Sequence, residues 1–215
     1  MSSTRIESPT LDRRDQILKA AMVCFAKRGF HQTSMHDISA EAGISVGLIY
    51  RYFENKEAVI SAMADRHKNE IHEVMERARQ APTLLESLEI LFTAHCCEDS
   101  PQIQSAFVVD LYAEASRNPQ LADLVRDVLQ TAMDAVTELI SQSTESRGAV
   151  PHGLTPTEMS ELIFAVARGM LMRDVLQPQE LPAAERRSRQ LEVTRKLWRV
   201  LFSGSTEPAY AEVNS

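Results

Sequence analysis

The chain has 215 residues, 44% hydrophobic and 25% charged, with a formal net charge of -7. That length allows one large or two small domains around a buried core, and the acidic balance excludes a protein that coats DNA nonspecifically, which needs a strongly basic surface. With 6% aromatics and 7 Gly beside much Ala, Leu, Glu and Arg, the composition favours helices over sheet.

Residues 1–10 are polar, contain Ser8-Pro9 and read as a disordered arm. A first helix is expected from about Leu11 to Arg28, with Ile17, Ala21, Cys24 and Phe25 at core spacing and Gly29 closing it. Ser34 followed three residues later by Asp37 is a capping-box-like start, with Asp in place of the usual Glu or Gln. Ile38 and Ala42 of this second helix are spaced to face a core. Gly43 stops it, because the residue after a helix end often takes a positive φ that costs glycine least. Ser45 then caps a third helix bearing Val46 through Phe53. Helix, tight turn and short helix is the helix-turn-helix plan, in which the second member enters the DNA major groove by its N-terminal residues.

Asn55 caps a longer helix to about Arg79, stopped at Ala81-Pro82, with Ile60, Met63, Ala64, His67, Ile71, Val74 and Met75 along its apolar stripe. Five further helices follow. The first spans about Thr83 to Cys97, with Leu84, Leu88, Leu91 and Phe92 on one face, and the second opens at Asp99-Ser100-Pro101 and runs to about Ser116. Asn118-Pro119 starts a long one through Leu121, Leu124, Val128, Met133, Val136 and Ile140. After a Gly/Pro loop at 146–153, Thr155-Pro156-Thr157-Glu158 is a full capping box with proline at the first helical position. That helix holds Leu162, Ile163, Val166, Gly169, Met170 and Val175; Gln177 to Pro182 breaks it, and a last helix covers about Ala183 to Phe202. The expected fold is therefore all-α, with about nine helices. Its domains are a helix-turn-helix head at 11–56, a connecting helix at 57–81, a helical body at 82–203, and a loose tail at 204–215. Residues 1–70 carry ten Lys/Arg against nine Asp/Glu, so the acidic excess sits outside the head.

Cys24, Cys96 and Cys97 give no disulfide framework, the N-terminus has no secretory pattern, and no stretch approaches the roughly 18 apolar residues that span a bilayer. A cytoplasmic protein without cofactor or bound metal is expected. His95-Cys96-Cys97 suggests a soft metal or an oxidant sensor, but a closed site needs further ligands and none stands at metal spacing nearby.

The head's side chains suit duplex recognition. Gly47 lets backbone approach the bases, and Val46 and Leu48 offer apolar contact to a thymine methyl. His36 can meet a base edge or a phosphate. Tyr50 and Tyr52 carry hydroxyls for phosphate oxygens, Lys56 adds charge at the N-terminus of the next helix, and Thr33 and Ser45 can donate to the DNA backbone. An isolated aromatic triplet such as Tyr50, Tyr52 and Phe53 is more often core, and Phe53 is assigned there; Gly43, Ser45, Gly47 and Lys56 beside them favour DNA contact for the two tyrosines. Arg51 serves phosphate or solvent. Arg5, Arg13 and Arg14 either grip phosphates or form a solvated charge run.

These residues stand in a pattern: Ile17-Leu18-Lys19-Ala20-Ala21, Phe25 to Phe30, Thr33-Ser34, Asp37-Ile38, Ala42 to Ser45, Gly47, Tyr50, Tyr52-Phe53 and Asn55-Lys56-Glu57. The run resembles the DNA-binding signature of the TetR/AcrR family of bacterial transcriptional regulators, over the first quarter to third of the chain. The resemblance implies operator contacts at Thr33, His36, Ser45, Val46, Gly47, Tyr50, Tyr52 and Lys56. It also implies a homodimer joined through the last two helices, and a body whose small-molecule effector releases double-stranded operator DNA.

For the dimer seam the candidates are Leu162, Val166 and Gly169 on one helix and Leu197, Trp198 and Leu201 on the other; the alternative is that they complete the core of one chain. For the effector they are Phe92, His95, Phe107, Leu111, Tyr112, Met133, Met170 and Arg173, residue types that taken singly are more often core than ligand contacts. A ligand-released homodimeric repressor is the leading reading, with a ligand-independent or architectural DNA-binding protein as the alternative. An enzyme with an accessory head is disfavoured, since no G-x-S-x-G, phosphate-loop or H-E-x-x-H pattern occurs.

Overall fold

The computed structural model describes residues 9–96, 101–147, 153–176 and 183–202. The arm before Pro9, Cys97, most of the 146–153 loop, the break at 177–182 and the tail lie outside them. Among the described residues there are nine helices and no strand: α1 Pro9–Gln32, α2 Met35–Glu41, α3 Val46–Ile49, α4 Lys56–Arg79, α5 Leu84–Cys96, α6 Pro101–Ala115, α7 Pro119–Arg147, α8 Pro156–Leu176 and α9 Ala183–Phe202. The all-α expectation holds.

Most starts are set by the expected caps. Asn55 Oδ1 accepts from Ala58 N–H at 2.8 Å to open α4, and Asn118 Oδ1 accepts from Leu121 N–H at 3.2 Å to open α7. At α8 the Thr155 hydroxyl accepts from Glu158 N–H at 3.2 Å while the Glu158 carboxylate accepts from Thr155 N–H at 2.7 Å, the reciprocal pair of a capping box. These bonds favour the ionised Glu158, whose pKa is lowered by the Thr155 backbone and hydroxyl donors.

Two helices differ from expectation at their ends. α1 does not close at Gly29; its backbone breaks there, at φ 79° and ψ 162°, and turns once more to Gln32. That combination is essentially open to glycine alone. α3 is regular only to Ile49, because the next donors reach back three residues rather than four, from Arg51 to Leu48 and from Tyr52 to Ile49.

Packing divides the chain into two compact units: Met1–Glu73 with Cys97–Ala132 and Ala167–Gln177, and Val74–Cys96 with Met133–Val166 and Pro178–Ser215. In the first, Ile17, Ala21, Phe25, Ile38, Ile49 and Val59 are fully buried, with Phe107, Leu111, Leu124 and Val125 packed on them. Each large aliphatic or aromatic side chain taken from water there contributes about 1.5–3 kcal/mol. The second unit centres on Val136, Ile140 and Met159, with Leu84, Leu91, Ile163 and Phe164 against them. Trp198 is 2% exposed within the single chain. The indole is covered by its own chain, which favours the core alternative for this residue over the dimer seam.

Candidate nucleic-acid interface

The first unit carries the helix-turn-helix. Ser34 caps α2 through a complete capping box: its hydroxyl accepts from Asp37 N–H at 3.2 Å, and Asp37 Oδ2 accepts from Ser34 N–H at 2.9 Å. Those Ser34 donors, and then Arg28, hold the Asp37 carboxyl well below the usual range, at about 2. Arg28 also pairs with Asp37 directly, tying α1 to α2. α2 ends where Gly43 takes φ +65°, a left-handed turn that glycine meets without strain. Ser45 caps α3, its oxygen accepting from Leu48 N–H at 3.2 Å.

This folding leaves several of the expected DNA-contact residues open to solvent. His36, Ser45, Gly47, Tyr50 and Arg51 are exposed, Tyr50 at 53%, whereas Val46, Leu48 and Tyr52 are half-buried. Tyr52 packs on the core by its ring, and Phe53 is buried at 3% as expected. A Cβ built on Gly47 meets nothing within 4 Å. The glycine is therefore not needed for packing inside this chain, and α3 presents bare backbone at its leading end.

Two expected phosphate contacts are turned inward. Thr33 is 2% exposed, and its hydroxyl donates to the Gly29 carbonyl at 2.8 Å or to that of Cys24 at 3.2 Å. The Lys56 ammonium donates to the Phe30 carbonyl at 2.8 Å, lies 3.4 Å from that of His31 and 3.5 Å from that of Thr33, and sits 4.3 Å from the Phe30 ring centroid. The break at Gly29 is the physical reason: it leaves carbonyls of the last turn of α1 without helical donors, and these two side chains supply them. Arg14, read as a phosphate grip or a solvated charge, lies 4.7 Å over the Phe53 ring. Arg13 donates to Gln16 Oε1 at 2.6 Å.

Residues that the sequence reading passed over hold the same corner from the body side. Asp110 Oδ2 on α6 accepts from Phe30 N–H at 2.9 Å, and Glu114 Oε1, one turn on, lies 2.9 Å from His31 Nε2. The available signal was two carboxylates four residues apart in an otherwise uncharged helix.

The residues expected around an effector fall in both units. Phe107 stacks on Phe25, with centroids 6.1 Å apart, and Leu111 packs on the head core; Tyr112 is half-buried and hydrogen-bonded to Arg168, its hydroxyl pKa raised by burial. Met170 is half-buried and Arg173 exposed; Phe92 and Met133, in the second unit, are half-buried. Of the seam residues, Gly169 is exposed, Val166 and Leu197 are half-buried, and Leu162 is 42% exposed. The side chains of His95 and Leu201 lie outside those described. Met172, Val175, Leu176, Val193 and Val200 are also exposed, with Leu176 at 77% and Val200 at 68%. No helix is long and apolar enough to cross a membrane, and no group of three or more His, Cys, Asp or Glu could hold a metal ion, among the described residues.

Comparison with known proteins agrees with this geometry. Residues 17–63 match the family described as "Bacterial regulatory proteins, tetR family", and residues 86–198 match "BetI-type transcriptional repressor, C-terminal". The HTH-type transcriptional regulator UidR of Escherichia coli K12 is 29% identical over 168 residues, 74% of this chain and 79% of that protein. The fatty acid metabolism regulator protein of Bacillus subtilis is 26% identical over 150 residues, 69% of this chain and 76% of that one. Among solved structures, Salmonella enterica GusR superposes with a TM-score of 0.66 at 27% identity, covering 93% of this chain and 100% of that one.

Proposed function

Because this chain belongs to the TetR family of bacterial regulatory proteins and is a DNA-binding transcriptional regulator, we propose that it works as a cytoplasmic homodimeric repressor, released from a palindromic operator by a small-molecule effector. The observation that carries the reading is the exposure of His36, Ser45, Gly47, Tyr50 and Arg51, in and beside two capped helices. Gly47 brings backbone to the base edges, Val46 touches a thymine methyl, and His36, Ser45 and the Tyr50 and Tyr52 hydroxyls bond phosphate or base-edge atoms. Thr33 and Lys56 act from inside, fixing the corner before α2. We assign DNA reading to residues 11–56, a connecting helix to 57–81, and effector binding and dimerisation to 82–203. Its role is binding alone, without turnover.

One head offers little contact area, and a two-fold pair reads two half-sites about one helical turn, or a multiple of it, apart. The seam is supported by apolar side chains that α8 and α9 leave in water in the second unit, Leu162, Val193 and Val200, since exposed apolar surface favours burial against a second copy. The effector assignment rests on family membership. The effector must bind the DNA-incompetent state better than the competent one.

Selection of duplex fragments from the source genome is the test. Enrichment of a palindromic fragment, bound by a species that sediments as a dimer, is the expected result, followed by loss of fluorescence anisotropy when an effector is titrated in. No enrichment over random duplex refutes DNA reading, and retention of the complex against every metabolite and drug offered favours the ligand-independent alternative.

A further inference from the structure

We propose that Asp110, supported by Glu114, is a positioning residue for operator binding: its carboxylate fixes the Gly29–His31 corner from which α2 and α3 are hung. The proposal rests on the DNA reading above.

At Gly29 the helical ladder of α1 is interrupted, and the Phe30 N–H is turned out of it. Asp110 supplies the acceptor at 2.9 Å, and its other oxygen would stand 3.3 Å from a Cβ at residue 29. On the other side of the same residue, the Phe30 carbonyl accepts from Lys56 at 2.8 Å. Phe30 is thus gripped at its N–H by α6 and at its carbonyl by α4. Beside it, Glu114 is 3% exposed, a burial a carboxylate tolerates only when paired, and it faces His31 at 2.9 Å and Arg117 at 3.3 Å.

Apolar packing does not explain this arrangement. Phe25 against Phe107 already joins α1 to α6 at this level, and such contact tolerates sliding. A charge-assisted hydrogen bond to one backbone N–H is directional, and it acts five residues before α2 begins at Met35. A corner free to take several orientations binds the operator only in the fraction that is correctly aimed, and the apparent dissociation constant rises as that fraction falls.

The test compares wild type, Asp110→Ala and Asp110→Asn on the operator that wild type selects. Fluorescence anisotropy gives affinity, amide hydrogen exchange reads the Phe30 N–H, and circular dichroism gives the folded fraction at the assay temperature. Asp110→Ala is expected to lose Phe30 amide protection and to bind about tenfold more weakly per head while remaining folded. Asp110→Asn, which keeps an acceptor oxygen in place, is expected to recover most of both. If Asp110→Ala does not fold, Asp110→Glu, which keeps the charge but displaces it by one methylene, replaces it in the comparison. Unchanged affinity in the displaced or deleted variant overturns the proposal, as does a loss no larger than the fall in folded fraction. A wild-type chain that selects no operator overturns the DNA reading and the proposal together.

Discussion

Gly47→Ala separates folding from recognition, because the two respond with opposite sign. In the free chain a Cβ at residue 47 meets nothing within 4 Å, and the residue lies in α3 with no positive φ to defend. Alanine therefore costs no packing and gains helix propensity, at most about 1 kcal/mol. For a chain of this length that raises Tm by up to about 2–4 °C. Against DNA the same methyl enters the space through which the backbone approaches the bases. Forcing one extra carbon into a close-packed contact costs about 1–3 kcal/mol, which is roughly fivefold to 140-fold in Kd per head. The assay pairs a thermal melt with anisotropy on the selected operator. A variant with equal or higher Tm and much weaker binding is the expected result. Equal affinity would refute the placement of Gly47 at the duplex, and a lower Tm would refute the claim that its surroundings are open.

Three further outcomes follow from the same geometry. Lys56→Met should destabilise the first unit by about 1–2 kcal/mol in a denaturant titration, since it leaves carbonyls of the α1 corner without their charged donor; a purely phosphate-binding lysine would leave stability unchanged. Trp198→Ala should cost about 3–5 kcal/mol as a core deletion and should lower stability before it changes sedimentation; a folded, fully stable monomer would restore the interface role. Asp37 has its folded-state pKa depressed to about 2 by Ser34 and Arg28, so its contribution is fully present above the ordinary carboxylate range and is lost as pH falls towards that value. The stability gap between wild type and Asp37→Asn should accordingly close on acidification through that window, and a gap independent of pH would contradict the assignment.

Local sequence rules accounted for helix existence and, with two exceptions, for helix ends. Asn55, Asn118 and the Ser34–Asp37 and Thr155–Glu158 pairs each act within three residues, and the observed starts of α2, α4, α7 and α8 follow them. Ile17, Ala21, Cys24 and Phe25 lie on one helical face and are all buried. The exceptions are α1 and α3, whose ends depend on a glycine break and on a shift to tighter turns rather than on a cap.

The amino-acid order by itself settled that this is a helical protein with a helix-turn-helix near its start, because caps, glycine turns and apolar periodicity are interactions among neighbours. It did not settle which way each polar or aromatic side chain faces. Thr33, Lys56 and Trp198 have residue types equally suited to a partner surface and to an interior. Only the approach of distant chain decided between them: Lys56 meets carbonyls 26 residues back at Phe30, and Phe30 meets a carboxylate 80 residues on at Asp110. Contacts of that span are products of packing, where one broken helical turn exposes backbone groups that whichever side chain lies nearest must satisfy.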